Sequence, residues 1–173
     1  ASGNPVWNFK GYNTGSFPQY AANLMQPSAL SVHNMNTSLS LGYQIIPDLK
    51  FNVNLGYNRL MSAEDQRKPA STINPSNFPA SKATFTDNTF ETINVEPQLN
   101  YQRNLGRGVF TGLLGATYKQ NDIERIQLEG TNYANEALLG SIAQAGTILG
   151  TDSYDPYKYI GVFARLGYVY DQR

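Results

Sequence analysis

Cysteine is absent from the 173 residues, which excludes a disulfide framework, thiol nucleophiles and cysteine-ligated metal sites together. Histidine occurs once, as His33, so a histidine-based triad or a multi-histidine metal site is excluded as well. Neither charge is in excess: 13 Lys and Arg balance 13 Asp and Glu. No basic surplus exists to hold a phosphate backbone, and no nucleic-acid partner is expected. Charge of any sign is scarce, at 15% of residues against roughly 25% in ordinary soluble domains. Long apolar runs are missing too, and none approaches the ~18 residues of a membrane helix. Mean hydropathy is −0.42, yet that excludes only membrane helices, because the alternating strands of a membrane barrel average out in any window. The N-terminus, Ala1-Ser2-Gly3-Asn4-Pro5, has neither an initiator Met nor a signal-like region. The chain is therefore expected to begin after a processing site or inside a larger protein.

Neutral polar residues and tyrosine, of which there are 12, take the place of charge, and they are arranged with period 2. Met35, Thr37, Leu39, Leu41 and Tyr43 alternate with Asn36, Ser38, Ser40, Gly42 and Gln44. Beyond Pro47-Asp48 the pattern resumes, with Phe51, Val53, Leu55 and Tyr57 against Lys50, Asn52, Asn54, Gly56 and Asn58. Pro-Asp is turn chemistry, so these two strands form a hairpin. A third strand sets Ile93, Val95, Pro97, Leu99 and Tyr101 against Asn94, Glu96, Gln98 and Asn100. A fourth follows the Gly106-Arg107-Gly108 turn with Phe110, Leu114, Ala116 and Tyr118 on one face, and a fifth carries Ile160, Val162, Ala164, Leu166, Tyr168 and Tyr170. Asp171-Gln172-Arg173 reads as the start of a further turn. Pro97 lacks a ladder donor, which predicts a bulge or broken pairing there.

Connection lengths give the topology. Tight links at 46–49 and 103–108 alternate with long ones at about 59–88 and 120–156, and residues 1–33 form another long segment. Alternating tight turns and long loops are the pattern of an outer-membrane barrel, with tight turns periplasmic and loops extracellular. The fold class expected is all-β: antiparallel up-and-down strands forming part of a large transmembrane β-barrel, with long extracellular loops and one short helix. Ala137, Leu138, Ile142 and Ala145 at helical spacing place that helix within 135–149, against the weakening effect of Gly140 and Gly146. Aromatics near the strand ends suit interfacial girdles, with Tyr43, Phe51, Tyr101, Phe110, Tyr168 and Tyr170 at one rim and Tyr57, Phe90, Tyr118 and Tyr157 at the other. Two alternatives share the alternation: a soluble sugar-binding β-sandwich, and a small complete structural or adhesion barrel. An amide-rich second face favours a wet lumen over a sandwich exterior. Only about five strands are found, too few for a small closed barrel.

In these residues the chain resembles the SusC-like TonB-dependent transporters (the SusC/RagA type). The resemblance rests on Ser38-Leu39-Ser40-Leu41-Gly42-Tyr43-Gln44-Ile45-Ile46-Pro47-Asp48-Leu49-Lys50-Phe51, Asn54-Leu55-Gly56-Tyr57, Ile73-Asn74-Pro75 and Val95-Glu96-Pro97-Gln98-Leu99-Asn100-Tyr101. It continues through Leu113-Leu114-Gly115-Ala116-Thr117, Gly130-Thr131-Asn132-Tyr133 and Glu136-Ala137-Leu138-Leu139 to Phe163-Ala164-Arg165-Leu166-Gly167-Tyr168. It implies a large barrel of the 22-strand class in the bacterial outer membrane, plugged by an N-terminal domain. It also implies a SusD-like surface lipoprotein as partner, glycan or peptide as cargo, and energy delivered by TonB through the plug. With no plug segment among its residues, 1–173 is expected to be an internal piece of such a transporter, in contact with membrane lipid.

No catalytic, metal or cofactor assignment follows from the residues, and the chain is not expected to be an enzyme. The carboxylate pairs Glu64/Asp65, Glu91/Glu96, Glu124/Glu129 and Asp152/Asp155 lack a neighbouring sugar platform, and Asp152-Ser153-Tyr154-Asp155 lacks the spacing of a dedicated calcium loop. For ligand contact the candidates are the outer-loop aromatics Trp7, Tyr12, Tyr20, Tyr133 and Tyr154, which offer stacking and hydrogen bonding at low entropy cost. Glu96 and Arg165 fall on the polar face and are expected to line the lumen.

Overall fold

The computed structural model describes residues 5–13, 20–77 and 79–170. Five long strands form one antiparallel sheet in the sequential order β3-β4-β5-β6-β7. They are β3 (Ser28–Ile46), β4 (Leu49–Lys68), β5 (Lys82–Leu105), β6 (Gly108–Thr131) and β7 (Thr147–Tyr170). Ahead of them a small hairpin, β1 (Asn8–Phe9) and β2 (Tyr12–Asn13), precedes a five-residue helix α1 (Tyr20–Leu24). All five long strands lie in one sheet, where a sandwich needs two, and the sheet is unclosed with β3 and β7 as its edges. The residues Asp171-Gln172-Arg173, read as a further turn, lie outside the described residues.

The chain divides into two compact units. One, the band unit, comprises His33–Met61, Thr89–Glu124 and Tyr154–Arg173. Both tight turns belong to it, and Gly106 stands at φ +62°, a left-handed conformation that glycine adopts without steric cost. On one face of this unit Leu49, Leu99, Phe110, Leu114, Ala164 and Leu166 lie together. Tyr101 and Phe110 meet edge to face there at 6.1 Å between ring centroids. In β6 the apolar stretch runs from Phe110 to Tyr118, in β7 from Ile160 to Tyr170, lengths that suit an apolar band ~25 Å tall crossed by tilted strands. Tyr57 and Tyr118 close it on the apolar face. Phe90 and Tyr157 do not, because strand alternation turns both to the opposite face.

The other, the loop unit, comprises Ala1–Val32, Ser62–Asn88 and Arg125–Ser153. Its connections are shorter than the sequence pattern suggests: only 69–81 joins β4 to β5, and only 132–146 joins β6 to β7. Backbone pairing continues where the apolar face stops, since ladder hydrogen bonds do not depend on the side chains. The helix expected within 135–149 is replaced by two 3-10 turns, Glu136–Leu138 and Ile142–Gln144, with 147–149 already in β7. Gly140 and Gly146 break the run at the spacing a helix would need. Asn135 still caps, its Oδ1 accepting the Ala137 N–H at 2.9 Å.

Pro97 introduces no bulge. On one side of it the Gln102 N–H donates to the Asp48 carbonyl, and on the other Arg59 faces Glu91, with the same residue offset. The missing proline donor removes one ladder bond from one neighbour, and no inserted residue is needed to accommodate it.

Candidate functional site

The polar face of the band unit is built by alternate residues of successive strands. Gln44, Lys50, Asn100, Gln102, Thr111 and Arg165 line a depression of about 540 Å³ there. Its lining mixes the amides of Gln44, Asn100, Gln102 and Asn104 with charged side chains, of which Arg165 and Lys50 form no ion pair among the described residues. Asp48, at its edge, faces Arg103 at 3.7 Å. Glu96 shares this face but not the depression, and it accepts a 2.9 Å hydrogen bond from Asn94 Nδ2. Amides and cationic side chains together make this a wall able to hydrogen-bond a polar solute.

On the opposite face, just above the apolar band, a polar cluster marks its edge. Arg59 Nε lies 3.0 Å from Glu91 Oε1, and Tyr57 donates to the same oxygen at 3.3 Å. Arg59 Nε lacks an aligned hydrogen bond, so that pairing is ionic in character. Along β6 and β7 Tyr118 donates to Gln120, Gln120 to Asp122, and Tyr154 to Asp122 at 3.1 Å. Tyr154 thus sits on the strand face that carries Ile160 and Val162.

The loop unit holds the remaining aromatic candidates. Trp7 is half-buried and precedes the β1–β2 hairpin, whose Lys10-Gly11 turn pairs Phe9 with Tyr12. Tyr12 and Tyr20 are exposed, and Tyr133 is half-buried in the 132–146 loop. Tyr133 packs over Gly130, and its hydroxyl is buried without a hydrogen-bond partner among the described residues. Burial, and secondly the charge of Asp65, hold that hydroxyl above its ordinary pKa. Among the described residues no hydrogen bond or ring contact joins any two of Trp7, Tyr12, Tyr20, Tyr133 and Tyr154.

The loops themselves are tied by specific polar pairs. The Ser71 N–H and Oγ both donate to the Glu136 carboxylate, at 2.7 and 2.9 Å, clasping the 69–81 loop to the 132–146 loop. Gln26 Nε2 donates to Thr72 Oγ1 at 3.1 Å, and the Arg67 N–H to the Pro27 carbonyl at 2.9 Å, securing the segment after α1. Arg67 also pairs with Asp65. Lys82 pairs with Glu129 at 2.6 Å. None of these contacts follows from periodicity, though Lys68 and Lys82 bracket the 69–81 loop symmetrically, a signal that hairpin counting exposes.

The carboxylate pairs separate on folding. Glu64/Asp65, Glu91/Glu96, Glu124/Glu129 and Asp152/Asp155 each straddle an odd number of positions along one strand, so alternation sends the two members to opposite faces. That arrangement cannot supply the facing acid and base of a glycosidase.

The fold is an unclosed, sequentially ordered antiparallel sheet with one apolar and one polar face, in which tight turns alternate with longer loops, and it matches part of a β-barrel transporter. Solved structures agree. The chain superposes on the RagAB peptide transporter with a TM-score of 0.84 at 16% identity, covering 97% of this chain and 19% of that one. Against the RagAB peptide importer in its open-open state the TM-score is 0.83 with the same identity and coverage, and in the closed-closed state it is 0.80, covering 89% of this chain and 17% of that one. The chain therefore spans less than a fifth of these transporter chains. No family model and no curated protein matches it.

Proposed function

We propose that this chain is wall and loop of a SusC-like, TonB-dependent importer in the bacterial outer membrane, taking up peptides or glycans. The observation that carries the reading is the two-faced sheet, an apolar face one membrane deep backed by a polar face, which superposes on RagAB over 97% of this chain. A soluble exterior has no use for Leu114, Ile160, Val162 and Leu166 at 53–76% exposure, whereas lipid covers them at no cost. In this reading lipid meets that face, Glu96 and Arg165 line the lumen, and Tyr57, Arg59, Glu91 and Tyr118 mark the outer lipid boundary. Trp7, Tyr12, Tyr20 and Tyr133 face incoming cargo from the loops, with Tyr154 anchored to Asp122 at the edge of the band. A surface lipoprotein is the partner over the loops, in keeping with the two-component RagAB neighbours. TonB acts through a plug domain carried elsewhere in the polypeptide, and none of this chain's residues performs chemistry on the cargo.

Fractionated source cells test this directly. An antibody to residues 121–150 is expected to detect a polypeptide far larger than 19.2 kDa in the outer membrane. Detection in the soluble fraction overturns the proposal.

A further inference from the structure

The polar face of the band unit is interrupted at one level by hydrocarbon. The offset that sets Arg59 against Glu91 places Leu60 opposite Phe90, and the offset that sets Thr92 on Asn121 places Phe90 opposite Ile123. Large apolar side chains of β4, β5 and β6 thus stand in one row across this face, with neighbouring Cβ atoms roughly 5 Å apart. All of them are half-buried, and Tyr157, 55% exposed, stands beside Asn121 in the adjoining row. Phe90 and Tyr157 are the aromatics that alternation removes from the apolar face. Successive rows toward the tight turns carry Asn58, Thr92 and Asn121, then Gly56, Asn94 and Lys119, then Asn54, Glu96 and Thr117. The apolar row therefore breaks a pattern that the same strands otherwise keep, and it does so on the face turned away from Leu114 and Leu166.

We propose that Leu60, Phe90 and Ile123, with Tyr157 beside them, form a binding site for an apolar side chain of a peptide. The site rests on the import reading and names the part of the cargo that it takes. Its polar border is bonded to itself: Thr92 Oγ1 donates to Asn121 Oδ1 and Asn58 Nδ2 to Asn34 Oδ1, each at 3.1 Å. A sugar placed over the row leaves hydroxyls facing hydrocarbon without partners, whereas an apolar side chain sheds water there and gives up no hydrogen bond. Charge is balanced around the row. The offset that sets Thr111 on Gly167 places Asp155 opposite Ile123. Within four positions along the strands, alternation adds only Glu64, Lys119 and Arg125 to this face, which makes two charges of each sign. Such a border favours a neutral group over an anion or a cation.

Calorimetry on the native polypeptide with its bound partners, in detergent, tests it. The probes are a capped alanine pentapeptide with leucine at its centre, the same peptide with serine there, and maltohexaose. The leucine peptide is expected to bind about tenfold more tightly than the serine peptide. Phe90→Asn and Leu60→Asn are each expected to erase that preference and to leave the serine peptide unchanged. Both substitutions extend the amide pattern of this face, so assembly in the outer membrane is expected to persist. Equal binding of the two peptides, a leucine preference that survives Phe90→Asn and Leu60→Asn, or maltohexaose binding that these variants abolish overturns the assignment. Outer-membrane localisation is read in the separate fractionation experiment, so a site that fails leaves the import reading standing, and a soluble polypeptide overturns that reading whichever peptide binds.

Discussion

The band unit and the loop unit use the same strands and obey different rules. In the band unit the stabilising information is a pattern: alternate residues apolar, alternate residues amide, with turns at Pro47-Asp48 and Gly106-Arg107 that fix the register. Many substitutions within a face keep that pattern, because no single side chain carries it. In the loop unit the information is pairwise. Ser71 with Glu136, Gln26 with Thr72, Lys82 with Glu129 and Arg125 with Asn88 each join segments distant in sequence, and each is lost with one residue. The band unit is specified by class of side chain, and the loop unit residue by residue.

The largest effect is expected where the pattern itself is broken. Leu114 lies midway along the apolar stretch of β6 and is 53% exposed. Leu114→Arg is expected to cost about 2–4 kcal/mol in the membrane, with loss of the polypeptide from the outer-membrane fraction. Thr117→Arg, on the amide face of the same strand, is expected to leave assembly intact. If both variants assemble equally, the distinction between the faces falls.

Within the loop unit the strongest single dependence is a close approach. A Cβ on Gly130 would run into the Tyr133 hydroxyl and stand 2.9 Å from both Ala145 Cβ and Ile142 Cδ1. Gly130→Ala is expected to cost about 1–3 kcal/mol, seen as faster proteolysis within 132–146 with membrane assembly unchanged. The Ser71–Glu136 clasp ranks next. Because both residues are exposed, Glu136→Ala is expected to cost only about 1 kcal/mol, and faster amide exchange at Ser71 is the sensitive readout. Unchanged exchange there means that the clasp does not hold the loops.

This contrast also explains what was legible in the sequence. The five strands, the tight turns and the amide face were readable because Leu39-Ser40-Leu41-Gly42 or Val53-Asn54-Leu55-Gly56 repeat one rule at successive positions. Strand ends were not, because β4 and β5 extend through Ser62, Glu64 and Gln66, or Thr84 and Thr86, where neither face is consistently apolar and only the backbone ladder remains. The helix expected in 135–149 rested on Ala137, Leu138, Ile142 and Ala145 at helical spacing, yet none of these is buried, and the residue that packs the loop is Leu139, 2% exposed and off that spacing. Glu96 and Arg165 were visible as polar-face residues by parity, and aromatic candidates by type only.

The smallest effect expected tests whether the loop unit is optimised or merely assembled. Tyr133 carries a buried hydroxyl with no partner among the described residues. Removing such a group relieves a desolvation penalty, so Tyr133→Phe is expected to stabilise the loop unit by up to about 1 kcal/mol at neutral pH. The sign with pH follows from the cause. Burial favours the neutral phenol, with Asp65 adding repulsion, so the folded pKa lies above the unfolded value. The contribution is complete below about pH 10 and is lost as pH rises through the folded pKa. Proteolysis within 132–146 should therefore accelerate at strongly alkaline pH in the parent and less so in Tyr133→Phe, with phenolate absorbance reporting the titration. If the phenylalanine variant is the less stable one at neutral pH, the hydroxyl has a bonding partner in solution, and the loop unit is built by pairs even there.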